Sequence, residues 1–271
     1  MQFNLTATQR SALEQNLGAH APGHHVIVHE LHGAIDIARW QRAVRTLLQS
    51  SSIFRRSYLP GDDGWLIVEA ATTKNELAVF DVPHAPSGTS LALVEELISR
   101  VFRPEEAPLL RVALVVETDR AFLVVTAASF VIDRFSMRPL FEALSRAYAG
   151  ELIGDLTLNQ TQLLATETEY HASAKHDASL QFWRPLLTGI RYQWQPAKWN
   201  DLSSPTFWSA SINETETAAL YAFSARIGVP LESVLLLAFH MFLRKLTADE
   251  TIVTALAHRI GAEDANGIGF C

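Results

Sequence analysis

The chain has 271 residues, 48% hydrophobic and 19% charged, which supplies a core for one large domain or two lobes and excludes a disordered segment. A formal charge of -7 and a pI near 5.8, with no Lys and Arg cluster to offset them, exclude a surface built for phosphate backbones, so no nucleic-acid partner is expected. The single cysteine, Cys271, excludes an intrachain disulfide framework and a thiolate metal site and makes a cytoplasmic setting the default.

The start, Met1-Gln2-Phe3-Asn4-Leu5-Thr6, has no basic region followed by an apolar run, and no apolar stretch reaches the roughly 18 residues that cross a bilayer. No membrane partner is expected. Residues 6 to 13 read as a first helix, with Thr6 or Thr8 as its cap. The β-branched centre of His25 to Leu31 predicts a strand. Gly33 to Asp36 then turns into a helix over Ile37 to Gln49, whose apolar face is Ile37, Trp40, Ala43, Val44, Leu47 and Leu48. Pro60 to Gly64 precedes a strand over Trp65 to Val68, a hairpin signal. Leu91 to Val101 is an amphipathic helix. Val112 to Glu117 and Ala121 to Ala127, joined at Thr118-Asp119-Arg120, are nearly continuous apolar strands and belong in the middle of a sheet, covered on both faces.

Pro139 to Ala149 predicts a helix with proline in its first turn and Gly150 past its end. From Glu151 to Asp177 the pattern weakens, and the lobe boundary is placed at its end, giving residues 1–177 and 178–271. The second part is expected to hold a helix over Ser179 to Leu187 and a strand over Phe207 to Ile212. A long helix over Leu231 to Leu246, buried on most sides, and a strand over Thr251 to Leu256 complete it. Strands mixed with helices give an α/β or α+β architecture.

The stretch Ala128-Ser129-Phe130-Val131-Ile132-Asp133-Arg134, followed by Ser136, sits between an apolar strand and an amphipathic helix. It resembles the active-site loop of the condensation domains of non-ribosomal peptide synthetases, written HHxxxDG and often followed by xS. Both histidines are missing; the aspartate and the serine are kept. Other segments resemble the same family, in family order. Thr6-Ala7-Thr8-Gln9-Arg10 is similar to its opening SxAQxR. Phe54-Arg55-Arg56-Ser57-Tyr58 is similar to the end of RHExLRTxF, with Ser50, Ser51 and Ser52 where RHE would stand. Residues 102–111 end in the family's PLLR, and Val253 to Arg259 with Ile268-Gly269-Phe270 resembles VGTPVAGR and IGFFVNT.

The resemblance implies a chloramphenicol-acetyltransferase-like two-lobe fold, with the first lobe complete and the second partial. It also implies a substrate, an aminoacyl or peptidyl group on the phosphopantetheine arm of a carrier domain, with an adenylation domain as neighbour and no cofactor bound directly. The family's second loop histidine is held to position or deprotonate the attacking amine, and a serine hydroxyl at Ser129 is no base at pH 7. Two functions stay open: a modified domain that alters the tethered residue, for example by dehydration, or an inactive docking platform. A heterocyclisation pattern, DxxxxDxxS, fits Asp133 and Ser136 but puts its first aspartate at Ala128.

On this reading Asp133, Arg134, Ser129 and Ser136 are the candidates for chemistry. Asp133 either orders the loop or acts as acid or base. Arg134, in the glycine position, fills the tunnel that the resemblance implies between the two lobes at this loop, pairs with Asp133 or holds a substrate carboxylate. Ser129 and Ser136 either satisfy polar groups of the fold or donate hydrogen bonds to a bound thioester or amide. His258 and Arg259 are the substrate-binding candidates, His258 also as a displaced base. His29-Glu30-Leu31-His32 fails as a zinc motif, because histidines three apart on a strand point to opposite faces.

Overall fold

The computed structural model describes residues 2–18, 23–62, 64–71, 77–82, 88–190, 210–247, 250–254 and 256. By their contacts these residues divide into two units, one up to His176 and one from Asp177 to residue 256.

In the first unit β1 (Gln2–Asn4) leads into α1 (Ala7–Gly18). Thr6 caps that helix: its Oγ1 accepts from Gln9 N at 3.2 Å, while Gln9 Oε1 accepts from Thr6 N at 3.0 Å, a reciprocal pair that satisfies two otherwise orphaned donors. β2 (His24–His32) follows, then α2 (Ile37–Ser50), whose cap Asp36 accepts from Arg39 N at 2.9 Å. The buried face of α2 is Trp40, Ala43, Val44, Leu47 and Leu48, as the helical spacing predicts. A short 3-10 turn (Ser52–Arg55) enters the hairpin of β3 (Arg56–Gly61) and β4 (Gly64–Glu69). Gly64, at φ +116°, closes that hairpin against Gly61. β5 (Ala78–Asp81) and α3 (Thr89–Ser99) precede β6 (Leu110–Val116) and β7 (Arg120–Ala128). α4 (Met137–Ala149) takes Pro139 in its first turn and ends at Gly150, φ +87°.

β1, β4 and β3 form one sheet, in the order β1-β4-β3; a four-stranded sheet runs β2-β7-β6-β5, antiparallel except for the parallel β5–β6 pair. β6 and β7 therefore occupy its middle, and both of their faces are covered. Val112, Leu114, Leu123, Val125 and Ala127 join the main core with residues of α2 and α4. Ala113, Val115, Phe122 and Val124 pack with Val94 and Leu97 of α3. That double burial is why these strands read as unbroken apolar runs.

Residues 151–177 are more ordered than their polarity predicts. α5 (Gln160–His171) is held to the chain's start by paired amides, Gln160 Nε2 donating to Gln9 Oε1 at 2.7 Å, and by Glu167 accepting from Ala7 N at 2.9 Å. α6 (Ala174–Leu187) runs unbroken through residue 177.

The second unit departs from expectation in three places. α7 (Glu214–Ile227) is a helix that hydrophobic patterning does not flag; Asn213 and Glu216 form its capping box. α8 (Leu231–Thr247) forms as expected but has no buried residue: Leu237 is 61% exposed, and Phe239, Met241 and Phe242 are also open. An apolar run records a face that needs covering, and among the described residues this one is covered only in part. Residues 251–254 and 256 form no strand, since no described strand pairs with them. In the strand expected over Phe207 to Ile212, residues 207–209 lie outside the described residues and residues 210–212 are irregular. Among the described residues no single helix is long and apolar enough to cross a membrane; α7 and α8 pass that test only as a pair bent by 104°.

Candidate functional site

β7 ends at Ala128, and the chain turns sharply through Ser129 to Asp133 before entering α4. Val131 N and Ile132 N both donate back to Ala128 O, at 3.0 and 3.3 Å. The turn buries Phe130, Val131 and Ile132. Phe130 meets Tyr58 edge to face, ring centroids 5.2 Å apart. Tyr58 is fully enclosed, and burial pushes its hydroxyl well above the ordinary tyrosine range. Tyr58 thus supplies a floor on which the loop rests.

The two ends of the loop are held differently. At the first, Ser129 is tied to the start of β2: its N and its Oγ donate to Gly23 O at 3.0 and 2.8 Å, and its Oγ accepts from Asn16 Nδ2 at 3.0 Å. At the second, Asp133 is buried and Oδ1 accepts from Ser136 N at 2.8 Å and Ser136 Oγ at 2.9 Å. It caps the 3-10 turn Arg134–Ser136 that opens into α4. Arg134 is exposed, its guanidinium 5.4 Å from the centre of the Phe135 ring.

The structure therefore brings Ser129, Asp133, Arg134 and Ser136 into one loop. Ser129 and Ser136 both spend their hydroxyl protons inside the protein. His258 and Arg259 lie outside the described residues.

One residue at the loop escaped sequence reasoning as a site residue. His25 pairs in register with Ala127, and its ring is half-buried. Burial holds this imidazole below the ordinary histidine value; the Asp133 carboxylate and the Ile132 carbonyl pull it back up, and the Arg134 guanidinium opposes them. The only available signal was the pair His24-His25 at the start of a strand, since alternation must send one ring to each face. His24 goes the other way, edge-on to Phe102 at 6.1 Å, with its pKa lowered by burial. His29 stacks on Phe141 of α4 at 4.3 Å, and His32 is largely exposed. Among the described residues no three His, Cys, Asp or Glu side chains gather as a metal site.

A family model, that of the condensation domain, matches residues 2–266. Among curated proteins, the AMB antimetabolite synthetase AmbE of Pseudomonas aeruginosa is 28% identical over 277 residues, covering 94% of this chain and 13% of that protein. Surfactin synthase subunit 2 of Bacillus subtilis is 25% identical over 235 residues, 82% of this chain and 6% of that one. Among solved structures, the condensation domain from the Monacolin K polyketide synthase MokA superimposes with a TM-score of 0.82 at 20% identity, covering 99% of this chain and 65% of that one. The first condensation domain of the calcium-dependent antibiotic synthetase, in complex with a substrate analogue, gives 0.81 at 20% identity, covering 99% and 66%. The chain thus spans about two thirds of these solved domains and a small part of the synthetases. The fold is the mixed α/β, chloramphenicol-acetyltransferase-like one of condensation domains.

Proposed function

This chain belongs to the condensation-domain family of non-ribosomal peptide synthetases, and from that premise we propose that it modifies an aminoacyl or peptidyl group carried on the phosphopantetheine arm of a carrier domain. Dehydration of the tethered residue is the reaction chosen for test. One observation carries the reading: the loop keeps its frame, Asp133 capping Ser136 and Phe130 resting on Tyr58, while Ala128 and Ser129 stand where amide formation uses histidines. A loop that had lost all use would have no need of a buried carboxylate, whose desolvation must be offset by hydrogen bonds. In this reading Asp133 fixes the loop, and the exposed Arg134 holds a carboxylate or phosphate of the tethered group through its planar fork. Ser129 and Ser136 support the turn. His258 and Arg259 are proposed to contact the substrate. Carrier and adenylation domains are the proposed partners, supported by the large synthetases to which the chain is similar.

A second reading, an inactive docking platform, is favoured by the clamping of Ser129 onto Gly23 and Asn16. Intact mass spectrometry of a loaded carrier domain, incubated with the chain and with Asp133→Ala and Arg134→Ala variants, separates the two. A mass change lost in folded variants supports modification. Carrier binding with an unchanged mass supports the platform.

A further inference from the structure

The imidazole that the loop lacks is present one strand away. β2 and β7 pair in register over their full length, His25 against Ala127 and His24 against Ala128. This sets the start of β2 beside the point where β7 gives way to the loop. The Gly23–Ser129–Asn16 hydrogen bonds fasten the two together. Strand alternation gives His25 the same face as Ile27 and His29, and His29 lies on Phe141 of α4. That is the side on which the loop runs into α4.

We infer that His25 is the acid–base imidazole of this site, standing in from β2 for the histidine absent at Ser129 and exchanging a proton with the carrier-tethered residue. The inference rests on the reading proposed above. Two features fit the role. The Asp133 carboxylate favours the imidazolium formed when a proton is taken. Half-burial keeps the ring both reachable and, through desolvation, neutral near pH 7. The charged and titratable groups acting on it are Asp133 and Arg134 of the loop and His24 of its own strand. The other histidines of β2 are placed differently: His24 faces Phe102, His29 is stacked and His32 is solvent-exposed.

For a β-hydroxy aminoacyl thioester the step balances with this one group. His25 takes the Cα proton, which the thioester carbonyl acidifies. The released electron pair forms the Cα–Cβ double bond as the Cβ–O bond breaks. The hydroxyl departs as water with the proton returned by the imidazolium, and the neutral imidazole is restored.

The test uses the full chain with a seryl-loaded carrier domain and intact mass as readout. Expected is loss of one water with the wild type and with the surface control His32→Gln. His25→Gln should fall by about 10²- to 10⁴-fold, with unchanged carrier affinity and thermal midpoint. Added imidazole should restore turnover to His25→Gly, which a merely structural histidine would not allow. Water loss within twofold of wild type in His25→Gln would overturn the inference and leave the modification reading standing. If the wild type yields no product, that reading fails, and His25 is judged by protection from diethyl pyrocarbonate: shielding by seryl-pantetheine supports contact with the substrate, and no shielding overturns it.

Discussion

β7 and α8 carry apolar runs of similar strength, yet Leu123 is 0% exposed and Leu237 is 61% exposed. β7 is sandwiched by α2 and α4 on one side and α3 on the other; α8, in its own unit, has no buried residue. Hydrophobicity in a sequence states a demand for a partner, and only the fold shows whether the demand is met. The contrast also bears on the candidate loop, which grows directly out of the densely packed β7.

The comparison predicts a steep ordering of stabilities. Leu123→Ala should cost about 2–5 kcal/mol in denaturant unfolding, the transfer term plus a cavity that neighbours on both faces cannot fill. Asp133→Ala should cost about 1–3 kcal/mol, since it strips the acceptor from the Ser136 N and Oγ, both turned inward. Asp133→Asn, which retains an acceptor oxygen, should cost less. Leu237→Ala should change stability by under about 0.5 kcal/mol. A penalty at Leu237 comparable to that at Leu123 would break the comparison, by showing that α8 is covered in solution.

What was legible in the sequence was what is local or strictly periodic. The buried face of α2, the paired apolar strands β6 and β7 and the Pro139-to-Gly150 limits of α4 follow from residues near one another in the chain. The loop itself was found by its spacing, with Asp133 and Ser136 at fixed offsets. α5 and α7 were missed because neither has a strong apolar stripe; α5 is fixed by Gln9, far away in sequence, and α7 by a capping box of Asn213 and Glu216 that could have been read. The role of Ser129 was not legible, because its partners Asn16 and Gly23 are more than a hundred residues away. His25 was hidden for the same reason: only the β2–β7 register puts it opposite Ala127, at the end of the strand that leads into the loop.

On the inference drawn above, the imidazole of His25 is seated against this loop. The direct measurement is an NMR titration of the His25 ring in the wild type, Asp133→Asn and Arg134→Ala. Burial lowers the His25 midpoint, so it should fall below the ordinary histidine value of 6.5. Losing the Asp133 charge removes an attraction for the imidazolium and should move the midpoint lower still; losing the Arg134 charge removes a repulsion and should move it up. A midpoint at the ordinary value, identical in all three proteins, would contradict the claim.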